Sequence, residues 1–175
     1  MKKIICISGK AQHGKDTSAN IIKELLEAKN NRVLIFHYAD LLKYVCKEYF
    51  GWNGEKDDVG RTLLQHVGTD IVRAKDPNYW VDFAANFLKL FEDEWDYVLI
   101  PDCRFPNEVN VMDTHFDALH WRVFRPNFVS PLSVEQQNHP SELALDDYHF
   151  DACIWNEGTL EDLKQVLEIR VQNLT

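Results

Sequence analysis

A chain of 175 residues, 45% hydrophobic and 27% charged, has room for one domain with a real core and too little for two. No apolar run approaches the roughly 20 residues of a membrane helix, and a net charge of −9 disfavours a nucleic-acid polymer as partner, because that needs a basic face. An anionic small molecule remains open to it, provided that its seven arginines gather locally.

The opening "MKKIICISGK" is too short in its apolar part for a signal peptide and reads as a buried first strand, "KIICIS" at 3–8. Ile21, Ile22, Leu25 and Leu26 follow at helical spacing, and "RVLIFHY" at 32–38 reads as a second strand. A long helical region comes next, with Leu41, Leu42, Val45 and Tyr49 on one face, Leu63, Leu64, Val67 and Ile71 on another, and an aromatic-rich segment from Tyr79 to Phe91. "YVLIPD" at 97–102 is the third strand, "FPNEVNVMDTHF" a short helix, "ALHWRVFR" at 118–125 the fourth strand and "ACIWN" at 152–156 the fifth. A closing helix carries Leu160, Leu163 and Leu167. Apolar strands alternating with helices predict an α/β protein, a parallel sheet with helices on both faces. The segment 126–142, with Pro126, Pro131 and Pro140, reads as an exposed excursion at a strand end, where open α/β sheets keep their ligands. The four cysteines, Cys6, Cys46, Cys103 and Cys153, form no C-x-x-C pair, so reduced thiols and a cytoplasmic location are expected.

"GKAQHGKDT" places Gly9, Gly14 and Lys15 in the register of a phosphate-binding loop, between a predicted strand and a predicted helix. Lys10, Ala11, Gln12 and His13 complete the loop. Glycines let backbone N–H groups turn inward around phosphate oxygens, the helix N-terminus adds its dipole, and Lys15 supplies a point charge. The hydroxyl that ordinarily follows the lysine is displaced: Asp16 takes its slot and Thr17 comes one residue later. A carboxylate beside a triphosphate is repelled unless a cation lies between them, so Asp16 is placed as a direct or water-mediated Mg²⁺ partner and Thr17 is left for the α-phosphate. The plainer alternative for Asp16 is a first-turn carboxylate serving the helix dipole.

Asp102, ending an apolar strand, resembles the Walker B aspartate that holds Mg²⁺. Cys103 follows it where NTP-hydrolysing machines commonly carry a glutamate, which favours transfer over hydrolysis. Lys43, Arg61, Arg73, Arg104, Arg122 and Arg125 are candidates for stabilising charge on a transferring phosphoryl group, with Arg104 and Arg125, next to predicted strand ends, ahead of Arg73 and Arg122. Asp40 and Lys43 share one helical turn, with Asp40 as a helix N-cap the plain alternative. Trp80 and Phe83 read as core packing, and Ser141 in "HPSE" as a candidate helix cap.

"GKDT", "YADLLK", "RTLLQHVGTDIVR" followed by "NYW", "IPDCRFPNE", "HPSE" and "ACIWNEGTLEDL" together resemble, in order and spacing, the bacteriophage-type deoxynucleoside monophosphate kinases of the P-loop kinase superfamily, over nearly the whole chain. The resemblance implies a three-layer P-loop kinase fold with a five-stranded parallel sheet, in one domain over 1–175. Within it, about 39–95 would form a helical monophosphate-binding region and about 125–145 a lid. It implies MgATP as donor and a dNMP as acceptor. Lys15, Asp16, Arg104 and Arg125 are the expected catalytic residues, with Gly9 to Thr17 holding ATP, and Asp16 and Asp102 holding Mg²⁺. Asp40, Lys43, Arg61, Gln65, Arg73, Trp80 and Glu142 are the expected acceptor contacts. A homodimer is compatible with the resemblance. A P-loop kinase of another small phosphorylated acceptor, phosphomevalonate-like, and a nucleotide-binding switch are the competing readings.

Overall fold

The computed structural model describes residues 2–55 and 57–174. Five parallel strands, β1 (Lys3–Ser8), β2 (Val33–Ile35), β3 (Tyr97–Ile100), β4 (Leu119–Phe124) and β5 (Ala152–Trp155), lie in the order β2-β3-β1-β4-β5. The strands alternate side chains between two dry layers. Ile5, Ile7, Leu99, Val123 and Ile154 face Ile22 and Leu26 of α1 (Lys15–Glu27), together with Leu163 and Leu167 of the closing helix at Leu160–Gln172. Ile4, Cys6, Val98 and Ile100 face the other way, onto Val81, Ala84 and Leu88 of the helix Tyr79–Leu90 and Val109 and Met112 of the helix Pro106–Phe116. Each fully buried aliphatic side chain contributes about 1.5–3 kcal/mol, so truncating Ile5, which is wholly inside, costs about 2–5 kcal/mol.

The remaining α-helices, in chain order, are α2 (Ala39–Tyr49), α3 (Asp58–Gln65), α4 (Tyr79–Leu90), α5 (Pro106–Phe116), α6 (Val134–Gln137), α7 (Pro140–Leu143) and α8 (Leu160–Gln172). α3 runs on without a break into a π-helical segment, His66–Arg73. A small third core of Cys46, Trp52 and Val67, with Leu42, Leu63 and Leu64 against it, ties α2 to α3 and this segment. Gly68 permits their close approach, since a Cβ there would fall 2.6 Å from Leu42 Cδ2. The Trp80 indole donates to the Gly68 carbonyl at 3.1 Å and pins the π-helical segment to α4.

β2 is shorter than the 32–38 run suggests. Phe36 N–H still reaches the Leu99 carbonyl at 2.9 Å, but the N–H groups of Tyr38 and Ala39 are captured by the Asp102 carboxylate and the chain turns into α2. The 126–142 excursion holds two one-turn helices, α6 and α7. His139, not Ser141, caps α7: Pro140 occupies the first helical position, and the His139 ring accepts from Ser141 N–H at 3.2 Å. Among the described residues no helix is long and apolar enough to cross a membrane.

Candidate active site

β1 sits at the centre of the sheet, and the connections leaving it and β3 run to opposite sides, which opens a crevice at the carboxyl ends of these strands. The loop 9–14 lies in that crevice. Its curvature depends on left-handed backbone at Gly9 (φ 145°), Gln12 (φ 59°) and Gly14 (φ 102°). A Cβ on Gly9 would stand 2.6 Å from the Val123 carbonyl of β4, so this position tolerates only glycine. Lys15 bends back beneath the loop and donates to the carbonyls of Gly9 at 2.7 Å and Lys10 at 2.9 Å. Burial, aided by the nearby Arg104 guanidinium, pulls the Lys15 ammonium down to about 8.

The loop is braced from outside. Asn156, just past β5, donates to the His13 carbonyl at 3.0 Å, and His13 Nδ1 accepts the Arg125 N–H at 3.2 Å. Burial lowers the His13 pKa, consistent with a neutral ring accepting at Nδ1. The Arg125 guanidinium lies over the Phe128 ring, 4.6 Å from its centre. Arg122 is buried at 4% exposure, donates to the Leu145 carbonyl at 2.6 Å and pairs with Asp146, whose other oxygen meets Lys10 at 3.3 Å. Arg122 is therefore an anchor for the end of the excursion.

Asp102 lies past the end of β3, and its two oxygens accept the backbone N–H groups of Tyr38 and Ala39, each at 3.1 Å. Those donors belong to the first turn of α2, so Asp102 does the capping for which Asp40 is the local candidate. Burial pushes the Asp102 carboxyl upward, against the pull of these N–H groups. Beside it, His37 joins two exposed carboxylates: Nε2 is 3.3 Å from Asp16 Oδ1 and Nδ1 is 3.4 Å from Asp40 Oδ2, while Lys43 holds the other Asp40 oxygen at 2.8 Å. The hydrogen bond to Asp16 raises the His37 pKa. Among the described residues no three His, Cys, Asp or Glu side chains converge as a metal cluster. Asp16 and Asp102 are nevertheless hard oxygen donors of the kind Mg²⁺ takes in ones and twos beside substrate phosphates and retained waters. Each Asp102 oxygen accepts one N–H from the start of α2 and keeps a lone pair free, so a cation could be held there directly or through water.

A cavity of about 160 Å³ opens between α2, the π-helical segment and the start of α5. Leu42, Leu64, Gly68 and Trp80 supply its apolar wall, and Arg73, Arg104, Phe105 and Glu108 its polar end. Arg73 donates to Glu108 at 2.6 Å and lies 4.4 Å over the centre of the Phe105 ring. Glu108, 1% exposed, also accepts the backbone N–H groups of Arg104 at 2.6 Å and Phe105 at 3.1 Å, reaching back as a third-position helix carboxylate does. Burial raises its pKa, opposed by the Arg104 N–H and Arg73. Arg104 extends from this cavity toward the loop and meets Glu142 at 2.6 Å.

The tertiary structure thus gathers Gly9 to Asp16, Asp102, Arg104, Glu142, Arg73 and Trp80 about one crevice, while Thr17 lines a groove between α1 and α8 with Thr159, Leu160 and Lys164. Trp80 is 4% exposed and presents a wall rather than a free stacking face. Asp40, Lys43, Arg61 and Gln65 stand outside the cavity walls. Asp40 and Lys43 flank His37, Arg61 is on the exposed side of α3, and Gln65 lies 3.4 Å from His139 of the excursion. Residues that pattern reading passed over are Glu108, Phe105, His37 and Asn156. Glu108 had one legible signal, a glutamate at the third position of a helix opened by proline. The others have none, since only the fold carries them to the crevice.

This sheet order, with a lysine-bearing phosphate loop at its switch point, is the P-loop kinase fold. The APS kinase of Mycobacterium tuberculosis, in complex with AMPPNP and APS, aligns over 98% of each chain with a TM-score of 0.57 at 12% identity. A sugar kinase from Janibacter sp. aligns over 99% of this chain and 95% of its own, TM-score 0.58 at 13% identity. The tunicamycin resistance protein of Deinococcus radiodurans covers 95% of this chain and 94% of its own, TM-score 0.52 at 16% identity. These are likenesses of fold. By sequence, the deoxynucleotide monophosphate kinase of Enterobacteria phage T4 is 35% identical over 105 residues, 59% of this chain and 41% of that protein, so the match spans less than half of the relative. The profile of the deoxynucleotide monophosphate kinase family matches residues 48–167, and the chain belongs to that family.

Proposed function

We propose that this protein transfers the terminal phosphoryl group of ATP to a deoxynucleoside 5′-monophosphate, giving ADP and a dNDP. The observation that carries the reading is the position of Arg104, which lines the cavity with Arg73 and reaches Glu142 beside the phosphate loop. Donor and acceptor phosphates would meet at that guanidinium. In this reading the region 39–95 supplies the acceptor pocket and 125–145 the lid.

The acceptor's phosphate has its second pKa near 6 and is largely dianionic at neutral pH, so it attacks without a general base. Its oxygen bonds to the γ-phosphorus as the bond to the β-phosphate bridging oxygen breaks, and ADP leaves with that electron pair. Lys15 and the loop N–H groups hold the β and γ oxygens, while Arg73 and Arg104 offset the acceptor's charge as the two anions approach. Asp16 and Asp102 would hold Mg²⁺, which would supply neutralising charge for the donor's phosphates. Cys103 beside Asp102 offers no carboxylate to activate water, which favours transfer over hydrolysis.

The test is ADP formation from MgATP with dAMP, dGMP, dCMP and dTMP offered separately, against a control without acceptor. Turnover above the control with at least one dNMP is expected. Background rates with all four, in folded protein that binds ATP, would sink the reading and turn attention to other small phosphorylated acceptors.

A further inference from the structure

The stretch 126–142 contains no lysine or arginine, and what it presents to the phosphate loop is a carboxylate. Glu142 Oε2 accepts the Ala11 N–H at 2.8 Å, and Oε1 accepts from Arg104 Nη1 at 2.6 Å, the same nitrogen lying 3.5 Å from the Ser141 carbonyl. The Glu142 side chain is only 8% exposed. A loop N–H and a guanidinium converging on one anion form the donor set of a phosphate oxygen. We propose that Glu142 is an internal competitor for that seat: its carboxylate latches the excursion onto the phosphate loop, and the donor's polyphosphate must displace it to bind. The inference rests on the kinase reading of the loop.

Charge argues that the two anions exclude each other. A carboxylate and a phosphate oxygen sharing Ala11 N–H and Arg104 would sit about 4 Å apart, where like charges repel by several kcal/mol at a partly buried site. The excursion is built to let go between two fixed ends. One end is the Arg125 N–H on His13, and the other is Asp146 on Lys10 and Arg122. Between them lie two single-turn helices, and among the described residues the hydrogen bond that reaches from them to the helical region is the exposed Gln65–His139 contact at 3.4 Å. Displacing Glu142 also releases the Arg104 guanidinium, which lines the acceptor cavity, so arrival of the donor would prepare the acceptor side.

Calorimetric titration of wild type and Glu142→Gln with inorganic tripolyphosphate, and separately with MgATP, tests this. Removing the competing charge should tighten both ligands about tenfold, the gain expected when a latched state of roughly 90% occupancy is abolished. Unchanged or weaker binding in folded Glu142→Gln would overturn the latch and make Glu142 a strut that positions Arg104. If that variant does not fold, Glu142→Ala, which likewise removes the competing charge, takes its place with the same two outcomes. Absence of binding by wild type to either ligand would remove the kinase reading itself, and the latch with it.

Discussion

The Asp102 carboxylate lies 3.1 Å from the backbone nitrogen of Ala39, so the aspartate that we propose holds a metal also starts helix α2. Asp102→Asn keeps one acceptor but turns an N–H donor toward a backbone N–H. Leaving that group unsatisfied costs about 1–3 kcal/mol, so the variant should lose stability as well as phosphoryl transfer. Urea denaturation beside the ADP assay checks this; loss of activity with unchanged stability would mean that the α2 contact is energetically idle.

Lys15 sets a pH limit on donor binding. Its ammonium is drawn down to about 8 in the free protein, and a bound polyphosphate must raise it, because an adjacent anion favours the charged form. Once the terminal phosphate is ionised, affinity for ATP should therefore hold up to about pH 8 and fall as pH rises above it, with protons taken up on binding in that range. Titrations in buffers of different ionisation enthalpy read the uptake directly. Lys15→Ala should lower transfer by about 10²–10³-fold, as loss of a charge-stabilising donor does, with little loss of stability.

The two arginines of the helical region separate cleanly. Arg73 lines the cavity against Glu108 and Phe105, whereas Arg61 lies on the exposed face of α3. Arg73→Ala should raise the acceptor KM by about tenfold or more while leaving that for ATP nearly unchanged, the loss of roughly one charge-assisted contact. Arg61→Ala should change the acceptor KM by less than about threefold, as for an exposed charge. Equal effects of the two would place Arg61 in the acceptor site after all.

Two glycines should respond differently to the same methyl. Gly9→Ala strains a φ of 145° and drives a Cβ to 2.6 Å from the Val123 carbonyl, so both stability and ATP binding should suffer. At Gly68 the obstacle is the end of the Leu42 side chain, which can swing away. Because Leu42 also lines the cavity, Gly68→Ala should cost about 1 kcal/mol or less of stability yet raise the acceptor KM. Thermal melts and separate KM values for donor and acceptor distinguish these outcomes.

Residue order by itself determined the strands, most helices and the phosphate loop. Those depend on local patterns: apolar runs bounded by turns, helical spacing, and glycines at fixed offsets from a lysine. It also put Asp102 and Arg104 just past the third strand, because a strand-end position is legible along the chain. Tertiary structure alone decided that β2 stops at Ile35, since the capturing carboxylate is Asp102, far along the sequence. It alone joined Ala11, Arg104 and Glu142, and it set Arg73 on Glu108 while leaving Arg61 at the surface. Local spacing records which way a chain turns next. The partners of a buried charge are chosen by whatever the closed sheet brings within hydrogen-bond reach, because a charge taken out of water must find an opposite charge or a donor there.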